Sequence, residues 1–267
     1  MKRGIAMKEY IKAMRLPACV FAGFTTFISF KLTNDIKDSM LPIIATILIS
    51  IATMVQNDLR DRWNDHKKGK DFAYDHPIQF RKFAIFLWIF SLIPTILMAF
   101  QNPWYLLVTL SMITIGLLYS ELQRIPFLPN IFVAIAMGIA VCYPICNGAN
   151  PWLLLYFSTF ICLIMLSREI LKDFDDKDID DGHKWTLIQK YGEKNAKFIS
   201  AFIIIFIDRF SEVITLPIFF LHKLIFRDTA IDLWIDEPTP ELISNIKMRL
   251  DLGMLTVALM FALGQTS

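Results

Sequence analysis

Residues 41–65 read LPIIATILISIATMVQNDLRDRWND, in which an apolar block over 41–56 runs directly into a polar and charged cluster over 57–65. The block is short for a hydrocarbon core about 30 Å thick, so we expect its helix to continue into the cluster. On a continuous helix, residues 57, 61 and 65 share one face, and residue 58 lies three positions before residue 61. The stretch therefore predicts a membrane helix whose end presents several carboxylates together.

The whole chain has the composition of a membrane protein. It contains 267 residues, of which 55% are hydrophobic and 19% charged, and its mean hydropathy is +0.49. Soluble domains average about 45–50% apolar and about 25% charged residues. The excess falls into apolar blocks at approximately 16–30, 41–56, 83–100, 104–119, 127–147, 151–166, 196–226 and 250–264. This pattern excludes a disordered chain, a disulfide-rich secreted domain and a soluble enzyme with one anchor, and it predicts an all-α polytopic membrane bundle.

The seventh block decides the predicted number of membrane spans. Residues 196–226 are too many for one ordinary span, and Asp208, Arg209 and Glu212 interrupt them. Two short helices joined by a tight turn give about nine spans, and one long helix gives eight; we favour nine. The acidic segment 228–241 is then expected to be a loop before the final span. Because the sequence shows no linker or low-complexity tract, residues 1–267 are predicted to form a single domain.

Basic residues mark the N-terminus and two of the connections. The connections after the second and sixth blocks are rich in lysine and arginine, whereas the short links around 102–103 and 147–151 carry none. Cytoplasmic loops of membrane proteins carry an excess of these residues. We therefore predict a multi-pass integral membrane protein with its N-terminus and both acidic clusters on the cytoplasmic side. Its expected partners are the lipid bilayer and small molecules, with no nucleic acid.

A second acidic cluster has the same spacing as the first. Nine of the 25 acidic residues fall within 58–65 and 173–181, and residues 173, 176 and 180 again share a helix face. Like charges at this spacing destabilise a helix, and a bound cation would offset them. Carboxylates suit Mg²⁺, which also binds substrate phosphates; a solvated loop end is the alternative for any single aspartate. An EF-hand loop at 176–187 is excluded, because its sixth and twelfth positions hold Asp181 and Leu187.

Both clusters match motifs of a known family. The string NDLRDRWND at 57–65 is a full match to the NDxxDxxxD motif of the UbiA superfamily of intramembrane prenyltransferases, and REILKDFDDKDID at 168–180 resembles its second motif, DxxDxxxD. Shorter similar stretches are 119–130, 186–194 and Arg15-Leu16-Pro17. The resemblance covers residues from about 10 to 200, and its second motif is most similar to that of geranylgeranylglyceryl-phosphate prenyltransferases.

The resemblance implies nine spans around a central cavity, in which two Mg²⁺ ions held by the motifs bind a polyprenyl diphosphate. The metal and diphosphate ligands that it implies are Asn57, Asp58, Asp61, Asp65, Asp173, Asp176 and Asp180. Asp61 and Asp176 are expected to be essential for catalysis. Tyr119 is expected to stabilise or orient the reacting carbon, with plain helix packing as the alternative.

Basic residues near the motifs are candidates to bind the diphosphate, because fixed cations stabilise a leaving group with about three negative charges. These candidates are Arg62, Lys67, Lys68, Arg124 and Lys172, with Asn57 as a further substrate contact. Positive-inside anchoring is the alternative role for each basic residue.

The predicted function is a Mg²⁺-dependent membrane prenyltransferase, which transfers a polyprenyl group from its diphosphate to a small acceptor and releases diphosphate. The acceptor is expected to be glyceryl-phosphate-like or a hydroxylated aromatic compound. A terpene cyclase of the same superfamily, which needs no acceptor, is one alternative. A multi-span transporter or lipid-binding scaffold is another, although transport sites usually lie near the bilayer midplane and these acids lie at the ends of apolar blocks.

Overall fold

The computed structural model describes residues 3–67, 69, 71–119, 121–122, 125, 127–177, 186–211 and 219–263, with side chains except at 3–6, 176, 209–211, 219–224 and 257–263. In chain order the helices are α1 (Arg3–Ala13), α2 (Leu16–Leu32), α3 (Met40–Arg60), α4 (Arg62–Lys67), α5 (Phe72–Asp75), α6 (Pro77–Gln101), α7 (Tyr105–Tyr119), α8 (Leu128–Ala140), α9 (Pro151–Asp176), α10 (Leu187–Tyr191), α11 (Glu193–Ser211), α12 (Phe219–Ile235) and α13 (Pro240–Leu263). Short 3₁₀ helices cover Ile36–Asp38 and Tyr143–Asn147. No strand occurs in these described ranges, so the all-α prediction is confirmed.

Proline sets the starting points of several long helices. The first residues of α6, α9 and α13 are Pro77, Pro151 and Pro240. Proline is favoured there because its fixed φ suits a helix and its missing N–H would have no intrahelical partner. Pro94 lies inside α6 and is buried, a position that neighbouring helices make tolerable in a membrane protein.

Four helical segments are long and apolar enough to cross a membrane: Met40–Arg60, Pro77–Gln101, Leu128–Asn147 and Pro151–Asp175. A fifth is added if α1 and α2, which meet at a bend of 42°, count as one span, and α7 is a shorter apolar helix. Large apolar side chains such as Phe86 and Phe100 on α6 are exposed, as expected for contact with lipid. These segments confirm a polytopic membrane bundle, and the count of nine spans stays a prediction.

The region after residue 192 differs from one expectation. The long apolar block is divided between α11 and α12, as in the two-helix interpretation, and residues 212–218 between them lie outside the described part of the chain. The prediction of a loop over 228–241 was wrong for the first half of this segment. Helix α12 continues to Ile235, and the link between α12 and α13 covers only 236–239. Buried Phe226, Ala230 and Leu233 recur at helical spacing and give this charged segment an apolar face.

The chain divides into two compact units. The first contains Met1–Leu122 and Ile139–Leu154, and the second contains Gln123–Gly138 and Leu155–Ser267. In the first unit α3 packs against α2, α6 and α7, and buried apolar residues form its core along these helices. In the second unit α12 packs against both α11 and α13. The prediction of a single domain over 1–267 stays a prediction.

A close approach of α7 to α3 sets the position of the first acidic cluster. A methyl group added at Gly116 would lie 2.4 Å from the Thr53 hydroxyl oxygen and 3.1 Å from the Trp88 ring. Only a glycine fits this contact without a shift of its neighbours. Thr53 lies one helical turn before Asn57. The contact between Thr53 and Gly116 therefore holds α3 against α7 one turn before the acidic cluster begins.

Candidate active site

The first acidic cluster lies where α3 ends. The backbone is helical to Arg60, bends at Asp61 and becomes helical again in α4. The N–H of Asp61 donates to the Asn57 carbonyl at 2.8 Å, and the N–H of Asp65 donates to the Asp61 carbonyl at 2.9 Å. Because these helical hydrogen bonds continue through the bend, residues 57, 61 and 65 follow one another on successive turns, although the helix is not uniform as predicted.

The side chains of this cluster contact one another and are largely buried. The Asn57 amide nitrogen donates to a carboxylate oxygen of Asp61 at 2.9 Å. Asn57 is 7% exposed and Asp65 is 8% exposed, which is unusual for an amide and a carboxylate. Burial of charged oxygens is costly unless they are hydrogen-bonded, paired or bound to a cation. The cluster therefore needs positive charge close by.

Arg15 supplies that charge, and it was absent from the predicted site residues. A guanidinium nitrogen of Arg15 donates to a carboxylate oxygen of Asp58 at 2.5 Å, and another lies 3.7 Å from the Met54 sulfur. Asp65 and Tyr119 also lie close enough to Arg15 to interact electrostatically. The sequence signal was the Arg15-Leu16-Pro17 stretch, which indicated only the start of the first helix.

Arg15 also has an unusual backbone. It lies at the bend between α1 and α2 with φ 47° and ψ 46°, in the left-handed region. For a residue with a side chain this conformation costs about 1–2 kcal/mol. Strained residues of this kind persist where the surrounding contacts hold them, and they cluster at functional sites. The bend directs Arg15 toward α3 instead of along the helix axis.

Two further contacts hold the end of α3. The Trp88 indole N–H of α6 donates to the Gln56 side-chain oxygen at 2.7 Å, and the Gln56 amide donates to the Leu117 carbonyl of α7 at 3.4 Å. Tyr119, two residues after Leu117, is buried at the end of α7. The structure therefore brings Tyr119 to the same end of the first unit as Arg15, consistent with a place in the site.

The predicted basic residues of this region have different surroundings. Arg62 donates to the Leu59 carbonyl at 3.1 Å, so it caps the last turn of α3, and it lies over the Trp63 ring. Lys67 ends α4 and is exposed. Lys68 and Arg124 lie outside the described residues.

The second acidic cluster lies at the end of α9, in the second unit. Asp173 is 2% exposed, and one of its carboxylate oxygens accepts a hydrogen bond of 3.0 Å from the Asn130 amide of α8. Asn130 is itself buried, and it was missed as a site residue although it ends the family-like stretch 119–130. The ammonium nitrogen of Lys172 lies 3.5 Å from a carboxylate oxygen of Glu169. The side chain of Asp176 and the whole of Asp180 lie outside the described residues.

The donor chemistry of the first cluster fits a hard divalent cation. Among the residues whose positions are described, no three or more histidine, cysteine, aspartate or glutamate side chains converge as a ready-made metal cage. Mg²⁺ does not need such a cage, because it keeps several waters and takes one or two carboxylates together with substrate phosphates. The buried amide and carboxylate groups at 57–65 meet that requirement.

Comparison with known proteins places these two clusters in a family. The sequence profile of the UbiA prenyltransferase family matches residues 16–226. The chain belongs to this family. The match includes both acidic motifs, so the UbiA resemblance is confirmed, and the protein is a membrane prenyltransferase. Its apolar helices together with this membership make the UbiA protein an integral membrane protein.

Two relatives named digeranylgeranylglyceryl phosphate synthase are similar over most of their length. The relative from Methanococcus maripaludis (strain C6) is 27% identical over 210 residues, which cover 75% of this UbiA chain and 74% of that protein. The relative from Methanosphaera stadtmanae is 25% identical over 280 aligned positions, which cover 97% and 99% of the two proteins. These names confirm the predicted closeness to the geranylgeranylglyceryl-phosphate type.

Two solved structures share the fold of this UbiA protein. One concerns digeranylgeranylglyceryl phosphate synthase in membranes and matches with a TM-score of 0.69 and 20% identity over 97% of this chain and 98% of that one. The other is the apo structure of a UbiA homolog from Aeropyrum pernix K1, with a TM-score of 0.71 and 17% identity over 91% and 98%. At these identities the likeness shows the fold alone, which is the helical membrane fold of the family.

Proposed function

We propose that this UbiA prenyltransferase transfers a geranylgeranyl group from geranylgeranyl diphosphate to geranylgeranylglyceryl phosphate in a reaction that requires Mg²⁺. The bond between C1 of the prenyl chain and the diphosphate oxygen breaks. C1 then bonds to the hydroxyl oxygen of the glyceryl phosphate, and the hydroxyl proton is lost. The products are digeranylgeranylglyceryl phosphate and diphosphate.

The observation that carries this proposal is the buried polar group at the end of α3. Asn57 donates to Asp61, Arg15 donates to Asp58, and Asp65 is buried beside them, all at the end of a helix with the length and hydropathy of a membrane span. A group of buried and partly buried carboxylates with a fixed cation suits a ligand that brings both divalent cations and phosphate oxygens. A diphosphate with bound Mg²⁺ is such a ligand.

The choice of acceptor rests on the relatives and on the second motif. Two relatives that cover most of this chain are named for the synthesis of digeranylgeranylglyceryl phosphate. The REILKDFDDKDID form of the second motif is similar to that of the same enzyme type. Both observations favour a glyceryl-phosphate acceptor over a hydroxylated aromatic compound.

Mg²⁺ bound to the diphosphate neutralises its charge and makes it a better leaving group. Asn57, Asp58, Asp61 and Asp65 would hold one Mg²⁺ ion at the first motif, and Asp173, Asp176 and Asp180 would hold a second ion at the second motif. Arg15 would add a fixed positive charge beside the first motif, since a guanidinium is protonated at any working pH. Asn130, which donates to Asp173, would orient that carboxylate.

The remaining predicted residues keep their proposed roles. Lys172 lies one position before Asp173 and would contact the diphosphate, as would Arg62, Lys67, Lys68 and Arg124. Tyr119 would lie near the reacting carbon, since it is buried in the neighbourhood of Arg15.

The loop charges favour a cytoplasmic location for the N-terminus and both motifs. Labelling of single cysteines introduced into these loops, with a reagent that cannot cross the membrane, tests this orientation.

The decisive test is an acceptor panel with the purified full-length protein in lipid nanodiscs. Geranylgeranyl diphosphate and Mg²⁺ are supplied with geranylgeranylglyceryl phosphate, with homogentisate or with no acceptor, and products are identified by mass. We expect the doubly prenylated glyceryl phosphate, and we expect EDTA to abolish it. Prenylated homogentisate alone would contradict the acceptor, and a cyclised hydrocarbon or alcohol without acceptor would indicate a terpene cyclase.

Substitution of the motif residues tests the catalytic assignment. Asp61→Asn and Asp173→Asn are each expected to reduce diphosphate release by about 100-fold, because each removes a carboxylate charge from the site. Asp228→Asn makes the same chemical change at an exposed position of α12 and should leave the rate unchanged. Diphosphate release that survives the combined Asp61→Ala and Asp176→Ala changes would contradict the catalytic assignment of the two motifs.

A further inference from the structure

Two reciprocal ion pairs join α9 to α13 in the second unit. Arg168 of α9 donates to Asp251 of α13, with 2.7 Å between the guanidinium nitrogen and the carboxylate oxygen. In return, Lys247 of α13 donates to Asp175 of α9. Numbers rise from 168 to 175 on one helix while they fall from 251 to 247 on the other, so the two segments are antiparallel.

These pairs hold the same turn of α9 that carries the second acid motif. Asp175 lies two residues after Asp173 and directly before Asp176. Successive helical residues are about 100° apart, so Asp175 projects about 200° away from Asp173. Asn130 of α8 contacts Asp173 on one side of this turn, and Lys247 of α13 contacts Asp175 on the other. The end of α9 is therefore held between two neighbouring helices.

The exchange of charges disfavours one displacement of α13 along α9. If α13 moved by one turn toward the start of α9, Lys247 would leave Asp175 and approach Lys172, and the repulsion would disfavour this arrangement. Such repulsive alternatives are how charged contacts select one arrangement. Partly exposed ion pairs contribute little to stability, so register is the better physical explanation for a reciprocal pair of them.

We propose that Lys247 is a positioning residue for the second acid motif. By holding Asp175 it fixes the rotation of the last turn of α9, and with it the direction in which Asp173 and the neighbouring motif residues present their carboxylates. The same contact keeps Asp175 turned toward α13 and away from the metal ligands. This inference rests on the proposed function, because it assumes that the second motif binds Mg²⁺ and diphosphate.

The test measures metal binding directly as well as activity. Mn²⁺ replaces Mg²⁺ as a spectroscopic probe, and its affinity for the full-length protein in nanodiscs is measured by electron paramagnetic resonance with inorganic diphosphate present. Lys247→Gln and Asp175→Asn break the pair from either side with little change in shape. Each is expected to weaken Mn²⁺ binding about tenfold, as for residues that orient metal ligands, and to raise the Mg²⁺ concentration for half-maximal prenyl transfer equally.

A matched control lies two residues farther along α13. Arg249 forms the same kind of ion pair, but with Asp232 of α12, so Arg249→Gln removes a positive charge from α13 without touching α9. The Mn²⁺ affinity of the Arg249→Gln variant should stay within twofold of the affinity of the parent protein. The charge exchange Asp175→Lys with Lys247→Asp should restore most of the lost affinity, because the ion pair that holds the turn is re-formed with its signs reversed.

The outcomes separate this inference from the proposed function. The positioning role is overturned if Lys247→Gln and Asp175→Asn bind Mn²⁺ as the parent does, if Arg249→Gln loses as much affinity, or if the exchanged pair stays weak. A lower melting temperature with unchanged Mn²⁺ affinity would likewise assign Lys247 to stability alone. A parent protein that binds no Mn²⁺ with diphosphate would overturn the proposed function and this inference together.

Discussion

Arg15 combines a strained backbone with an ion pair, and two substitutions separate these properties. Arg15→Ala removes the contact with Asp58 and keeps a side chain at φ 47°. Arg15→Gly removes the same contact but places at this position the residue that adopts the left-handed region without a steric penalty. The difference in stability between the two variants therefore reports the backbone strain, less the larger conformational entropy of glycine in the unfolded chain.

The expected magnitudes follow from the surroundings of Arg15. Its side chain is 31% exposed and that of Asp58 is 14% exposed, so the ion pair is only partly screened by water. Loss of a hydrogen bond to a charged group costs about 1.5 kcal/mol at the lower end of the usual range. Glycine recovers about 1 kcal/mol of the left-handed strain. We therefore expect the free energy of unfolding to fall by about 1.5 kcal/mol in Arg15→Ala and about 0.5 kcal/mol in Arg15→Gly.

Thermal unfolding of the purified variants in one detergent, followed by intrinsic fluorescence, measures this difference. For a chain of about this length 1 kcal/mol corresponds to roughly 2–4 °C in melting temperature. The Gly variant should thus melt a few degrees above the Ala variant and slightly below the parent. Equal melting temperatures for Ala and Gly would refute the strain argument, and two variants as stable as the parent would refute the contribution of the ion pair.

Three further predictions concern the supports of the site and its metal. Gly116→Ala is expected to lower stability by about 1–2 kcal/mol, because its methyl group meets the Thr53 hydroxyl at 2.4 Å, and adding Thr53→Ala should recover most of this loss in thermal unfolding. Asn130→Ala should weaken Mn²⁺ binding about tenfold by releasing Asp173, whereas Asn130→Gln, which keeps an amide, should weaken it less; equal losses would contradict a hydrogen-bonding role. Treatment with EDTA should stop prenyl transfer, and added Mg²⁺ should restore it, as measured by the mass of the prenylated product; activity that persists in EDTA would contradict the metal requirement.

The arrangement of the acid motifs could be predicted from local spacing. Residues 57, 61 and 65 follow the period of a helix, and the structure keeps them on successive turns in spite of the bend at Asp61. Apolar block length likewise predicted the membrane helices α3, α6 and α9. These features depend on neighbouring residues in the chain, so a single sequence contains the information needed.

The partners of the motif residues could not be predicted in the same way. Arg15 contacts Asp58 and Asn130 contacts Asp173 across 43 positions in each case, and no local period links such residues. Helix α12 was mistaken for a loop in its acidic part for a related reason. Acidic residues and two prolines recur over 228–241, while the apolar face of α12 becomes evident only when Phe226 and Leu233 are seen to be buried.

The order of residues in these contacts has a consequence for biosynthesis. Arg15 and Asn130 each precede the carboxylate that they contact, so a ribosome makes each hydrogen-bond donor before its acceptor. When Asp58 and Asp173 leave the ribosome, the residues that donate hydrogen bonds to them are therefore already part of the nascent chain. Lys247 is made 72 residues after Asp175, so the contact of α9 with α8 can form first and the contact with α13 only after α13 has been made.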